Sequence, residues 1–239
     1  MLKFEAESRD QQEPKTKVDL QIPYYSQQEE DALNLYGRKA CGLTSLRMVL
    51  AYYGYNFGIN EMSDRAKLVG AYSEEDGWIH SGLVDIARQA HHRIGPTGSL
   101  DGIDTNKPSL HGFRINFDFL KDEDLAKVGP ILAREGATQE EIEKFTQIFQ
   151  TAREKGIKEA IDQLIDQEIP VIASMRPTYA KTSATHLVVI KGKENGNYIL
   201  NDPWVNSEGN GGKAYPVPVE KFNEDWTHRA IVIYPSQVE

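Results

Sequence analysis

Apolar positions along this chain change period, and the changes mark out its elements. From Leu43 to Tyr53 they fall three and four residues apart (Leu43, Leu46, Val49, Leu50, Tyr53), the spacing of one helix face. Gly54 stands where a left-handed helix stop is expected, so this pattern predicts a helix opening at or just after Cys41. Ile59 to Gly70 reads as a second helix, with Met62, Ala66 and Val69 on one side. A third is predicted from an N-cap at Ser81 through His91, with Leu83, Ile86, Ala87 and Ala90 inward. Thr138 with Glu141 has the form of a capping box, opening a helix that sets Ile142, Phe145 and Phe149 on one face. Ile157 to Gln167 follows, with Ile157, Ile161, Leu164 and Ile165 inward.

Elsewhere the period is two, or the run is continuously apolar. Val18 to Ile22 alternates and predicts a short half-buried strand, and Phe113, Ile115, Phe117 and Phe119 alternate likewise. The last third is strand-rich: Ile169–Met175 with Pro170 at its start, His186–Ile190, Asn197–Leu200, a short Val217–Val219, and Ala230–Tyr234. Glu29 to Tyr36 is acidic and predicts a surface loop or short helical turn. Ser73–Trp78, Gly95–Ser99 and Leu100–Gly102 carry turn and loop signals. The polar first 17 residues predict a flexible arm ahead of one domain over 18–239.

Composition narrows the function classes. The 239 residues suffice for a sizeable core, and 39% apolar with 26% charged residues is ordinary for a globular protein. A net charge of −9 with no Lys/Arg cluster argues against nucleic-acid or anionic-membrane partners. No apolar run approaches the roughly 18 residues of a membrane span, and the start of the chain lacks the apolar core of a signal peptide. The expectation is a cytoplasmic protein, or a mature secreted form whose leader has been removed. The single cysteine, Cys41, excludes an internal disulfide and a multi-Cys zinc site. Gly209–Gly212 lacks the context of a phosphate loop, and Asp118–Asp124 lacks the spacing of a calcium loop, so no cofactor or metal is expected.

A lone cysteine is most often a small buried hydrophobe. Here it stands at a helix N-terminus, where unpaired backbone N–H groups favour a thiolate, with Arg38 and Lys39 adjacent. A cysteine nucleophile needs a base, and the base needs an orienting group. Of six histidines, His91 and His92 are adjacent and on a helix would point apart, while His80 and His111 read as loop residues and His228 follows Trp226-Thr227. His186 opens a strongly apolar strand, and Asp202 lies at the end of the next one, before Pro203 and Trp204. The plainer alternatives are a satisfied strand-end histidine and an Asx-turn.

The segments Ile22-Pro-Tyr-Tyr-Ser-Gln27, Ala40-Cys-Gly42, Thr185-His-Leu-Val-Val-Ile190 and Asn201-Asp-Pro203, in that order, resemble the bacteriocin-leader (double-glycine) peptidases of the papain-like superfamily. The resemblance covers about residues 18–235 and leaves 111–156 as an unmatched, partly helical insertion. It implies an α+β papain-like fold with an N-terminal helical lobe and a C-terminal antiparallel sheet. It also implies a thiol hydrolase acting on a peptide or protein substrate. Cys41 would be nucleophile, His186 base, Asp202 orienting acid and Gln27 the oxyanion donor, with Gln28 its neighbour. Other acyl-transfer chemistry and a catalytically silent peptide-binding module are the alternatives. The chain departs from the family in the long stretch Glu29–Lys39 between glutamine and cysteine, and in Leu43 where proline is common.

The hairpin between His186 and Asp202 sets a condition on that reading. Side chains alternate faces along a strand, and the register follows from the turn. A two-residue Asn195-Gly196 turn with unbroken pairing sets Asp202 opposite Val189, and His186 then points to the other face. The pair requires an odd-numbered loop or a bulge that restores parity.

Overall fold

The computed structural model describes residues 16–75, 77–95, 98–117, 122–134, 137–176 and 185–236. Its centre is a seven-stranded sheet in which every pairing is antiparallel. The strands are β1 (Lys17–Asp19), β6 (Leu110–Asn116), β7 (Val171–Met175), β8 (His186–Glu194), β9 (Asn197–Asn201), β10 (Tyr215–Pro218) and β11 (Trp226–Pro235). Their order is β10-β9-β8-β7-β11-β6, and β1 also pairs with β8. β7 pairs with β8 from His186 to Ile190, and β1 pairs with it from Gly192 to Glu194. β9 lies along the other edge of β8. Two small hairpins, β2 (Tyr72–Ser73) with β3 (Gly77–Trp78) and β4 (His92–Ile94) with β5 (Leu100–Ile103), stand apart from the sheet.

The helices are α1 (Glu30–Tyr36), α2 (Cys41–Tyr52), α3 (Ile59–Val69), α4 (His80–Arg88), α5 (Asp122–Arg134), α6 (Gln139–Lys155), α7 (Ile157–Asp166) and α8 (Val219–Asp225). Neighbouring residues of β6 show that they cover both faces of the sheet. Gly112 points toward Val84 of α4, whereas Phe113 packs its ring edge-on to Phe145 of α6 at 4.8 Å. Successive strand residues face opposite ways, so α4 and α6 lie on opposite sides. α2 packs on β8, where Ser45 Oγ donates to the Leu187 carbonyl at 2.9 Å, and on α3 and α4 behind it. It is therefore buried nearly all round, with Arg47 its one half-exposed residue before Tyr52.

Strong periodicity and good caps produced the expected elements. α2, α3 and α7 run as read, Gly54 and Gly70 take positive φ (87° and 61°), and the Thr138–Glu141 capping box is formed in both directions. Other expectations are corrected. α4 starts at His80 with an extended, side-chain-free cap at Ile79, so Ser81 is not its N-cap, and it stops at Arg88. His91 and His92 thus leave the helix, and their rings lie 4.3 Å apart rather than pointing apart. His80 is helical and His111 lies in β6, not in loops. Leu100–Ile103 is a strand, and of the surface loop or short helical turn expected over Glu29–Tyr36 the structure has the helical form, the seven-residue α1. Residues 1–15 of the expected arm, Phe119, and most of the acidic 118–124 stretch fall outside the described residues.

Candidate active site

Cys41 is the first residue of α2, so its thiol sits among the amides of a helix start. What holds that start is Trp78, on β3. Its indole N–H donates to the Lys39 carbonyl, and its ring lies against Gly42. A Cβ at position 42 would come 2.5 Å from the ring, so only glycine admits this approach. Tyr36 and Tyr72 complete the cluster, with ring centroids 4.9 and 5.0 Å from that of Trp78. The stretch between Gln27 and Cys41 thus folds as α1 and a tight turn pinned by aromatic packing. Nothing in the sequence singled out Trp78; the glycine after the cysteine was the available signal.

Burial pushes the Cys41 thiol up, but a hydrogen bond and the positive charge of His186 and the Leu187 backbone amide outweigh it, leaving the thiol below its ordinary value. Lys39 does not supply that charge: its ammonium reaches the Glu74 carbonyl at 3.0 Å and the Glu74 carboxylate at 3.4 Å. The Arg38 side chain lies outside the described residues. Burial alone would depress His186; the charge and hydrogen bond of Asp202, then the bond and charge of Cys41, raise it above its ordinary value instead. The protonated ring and the thiolate therefore favour one another.

His186 opens β8, where its Nε2 lies 2.6 Å from Asp202 Oδ1. That contact leaves Nδ1 as the ring nitrogen for the thiol. Asp202 is fully buried. The same Oδ1 accepts the Trp204 amide at 2.8 Å, the Asx-turn before Pro203, so the two readings of this residue coexist. Gly211, with φ 92°, lies against the carboxylate, at a distance of 3.1 Å from its Oδ2 for any added Cβ. Trp204 stands edge-on to His186 with centroids 6.4 Å apart.

The hairpin meets its parity condition by a bulge. Glu194 opposes Asn197, Lys193 opposes Tyr198 and Gly192 opposes Ile199, as a two-residue turn dictates. The register then shifts, so that Ile190 opposes Leu200 and Val189 opposes Asn201. Lys191 is the extra residue. Continued by one step, this register sets Asp202 opposite Val188, on the face of His186 and diagonal to it.

Gln27 and its neighbour separate cleanly. Gln27 is buried, 3% exposed, and its backbone amide donates to the Pro203 carbonyl at 2.8 Å, tying it to the residue after Asp202. Gln28 is exposed and clasps the Val205 backbone, donating to its carbonyl at 3.1 Å and accepting its amide at 3.2 Å. The remaining histidines lie at the start of α4 (His80), between α4 and β4 and in β4 (His91, His92), in β6 (His111) and in β11 (His228). Among the described residues no group of three His, Cys, Asp or Glu could hold a metal ion, and no helix is long and apolar enough to cross a membrane.

Among the solved structures similar to the chain are two of peptidase domains. One is a double glycine motif protease from an AMS/PCAT transporter in complex with the leader peptide (18% identity over 92% of this chain and 95% of that one, TM-score 0.46). The other is the peptidase domain of Streptococcus ComA, a bi-functional ABC transporter involved in a quorum sensing pathway (16% identity over 82% and 91%, TM-score 0.42). No curated protein matches. A helical layer bearing the cysteine against a sheet bearing the histidine is the papain-like α+β arrangement. The model of the Peptidase_C39 like family matches residues 19–99 and 124–231, and the chain belongs to that family.

Proposed function

We propose that this chain is a cysteine peptidase in which Cys41, His186 and Asp202 act as a catalytic triad. The observation that carries the reading is the buried His186–Asp202 pair, with Nε2 2.6 Å from the carboxylate, on the strand that packs against the helix opened by Cys41. Thiolate and imidazolium are both favoured there, which is the resting state an attacking sulfur needs. The thiolate adds to a peptide carbonyl. The oxyanion is met by the Cys41 backbone N–H and the Gln27 side-chain amide. His186 gives its proton to the departing amine, leaving a thioester on Cys41. A water, deprotonated by the now neutral His186, hydrolyses the thioester and restores the free thiol. Asp202 keeps the ring's orientation and tautomer through both steps and stabilises the imidazolium.

Peptide amides are the first substrates to try, because the family is one of peptidases. The test is a panel of peptide and simple amide acyl donors, double-glycine sequences included, assayed with the intact protein and with Cys41→Ala. Turnover of peptides that disappears in Cys41→Ala supports the proposal. Turnover confined to small amides redirects it to an amidase. Stoichiometric peptide binding without turnover, unchanged in Cys41→Ala, replaces it with a binding module.

A further inference from the structure

The triad depends on a bulge, and the bulge is held from outside the site. Lys191, the extra residue, is 7% exposed. Its ammonium pairs with Asp19 of β1, and its carbonyl accepts the Leu20 amide at 2.8 Å. β1 joins β8 where β7 leaves it: Val171–Ile190 is the last pair on one side of the bulge and Asp19–Gly192 the first on the other. The next residue is Gly192, where a Cβ would collide with the Val18 carbonyl, so glycine is what lets β1 lie this close.

We propose that β1 is a positioning element for the site, fixing the bulge at Lys191 through Asp19 and the Leu20 amide and so keeping His186 and Asp202 on one face. The inference rests on the triad reading above. Its logic is parity. With the two-residue Asn195-Gly196 turn kept, removing the bulge turns Asp202 away from His186. Moving the extra residue to the tip keeps parity but gives up that turn, where Asn195 and Gly196 both take the positive φ it demands (50° and 76°). Asp19 and Lys191 touch neither substrate nor reacting atoms. Their effect passes through strand register alone. Taking Asp19 away leaves a nearly buried ammonium unpaired, and the bulged residue then gains by turning outward.

The experiment compares Asp19→Ala and Lys191→Met with Asp202→Ala, the intact chain, and Lys67→Ala as a surface ion-pair control. Two quantities are read in protein shown to be folded by near-UV circular dichroism. One is the pH midpoint of Cys41 alkylation by iodoacetamide; the other is the downfield proton resonance of the His186–Asp202 hydrogen bond. Asp19→Ala and Lys191→Met are expected to move the midpoint in the same direction as Asp202→Ala, and to weaken or lose the resonance. A midpoint moved by about one pH changes alkylation on the acid side about tenfold. Asp19→Glu restores both readouts and Lys67→Ala leaves them unchanged. A wild-type midpoint and resonance in both folded variants, beside a shifted Asp202→Ala, overturns the role of β1 and leaves the triad standing. An Asp202→Ala that leaves both the midpoint and the downfield resonance unchanged overturns the triad reading, and the inference with it. Asp19 is half exposed, so its substitution tests the proposal even if Lys191→Met does not fold.

Discussion

Removing the His186 ring should convert Cys41 from an activated to a suppressed thiol. Burial pushes the titration of the sulfur up and is the largest influence, and the Asp202 charge adds to it, while His186 and the Leu187 amide pull it down and together prevail. His186→Ala deletes the pull of the imidazole and leaves burial and Asp202 opposed by the amide alone. The sign then reverses, from below the ordinary thiol value to above it. A hydrogen bond to a charged group is worth about 1.5–3 kcal/mol, and moving a titration midpoint by one pH corresponds to about 1.4 kcal/mol. The thiolate fraction at pH 6 should therefore fall by roughly ten- to a hundredfold. The small cavity left by the ring admits water, which softens the burial cost and favours the lower end.

The assay is the second-order rate of iodoacetamide alkylation from pH 5 to 10, followed by mass of the intact chain. The midpoint, not the plateau, is the quantity to compare, since a thiolate of lower pKa is also intrinsically less nucleophilic. The midpoint of the intact chain should lie below the roughly 8.5 of a free thiol, and that of His186→Ala above it. If both proteins share one midpoint, the imidazole does not act on the sulfur, and the reasoning fails.

Three further outcomes follow from the geometry. Asp202→Asn should lower turnover less than Cys41→Ala or His186→Ala, because the carboxylate orients and the other two make bonds; steady-state kinetics that show no loss here, with a large loss at a different carboxylate, would refute the assignment. Gln27→Ala should lower kcat about a hundredfold with the alkylation midpoint unmoved, whereas Gln28→Ala should lower stability by about 1 kcal/mol and spare kcat; equal effects at the two positions would remove Gln27 as oxyanion donor. Gly42→Ala should gain helix propensity yet lose about 1–3 kcal/mol by overpacking against Trp78, seen as a fall in Tm, and a Trp78→Leu background should relieve much of that cost.

What the sequence disclosed depended on whether the signal was local. α2, α3 and α6 have apolar stripes with a capping box or a glycine stop, and α7 has the stripe alone; these suffice to place a helix. β5 had no stripe to read, since Leu100–Ile103 is exposed throughout and pairs only with β4. Ser81 is a good cap residue, yet Ile79, extended after β3 with its amide on the Ala71 carbonyl at 2.9 Å, takes that role instead. Trp78 was illegible for a different reason. Its place against Gly42 comes from a contact between segments 36 residues apart, and such contacts leave only a small residue where the ring must fit.

The His186–Asp202 pair shows how far alternation alone can be carried. A strand's period of two makes facing a matter of odd or even, so a sequence can state which registers permit a contact before any register is known. Asn195-Gly196 gave a strong reason for a two-residue turn, and that turn alone forbids the contact. The two demands are compatible only if one residue is lost from the ladder between Glu194 and His186. The sequence offers Lys191-Gly192 at that point, a long cation followed by a residue without a Cβ, inside an apolar strand where neither favours regular pairing. The structure puts the extra residue at Lys191, with its ammonium on Asp19 and the chain of β1 against Gly192. The polar residue in the strand and the glycine beside it are thus explained by one requirement. Two side chains sixteen residues apart must face the same way, and a hairpin with a tight turn meets that requirement only by breaking its own register.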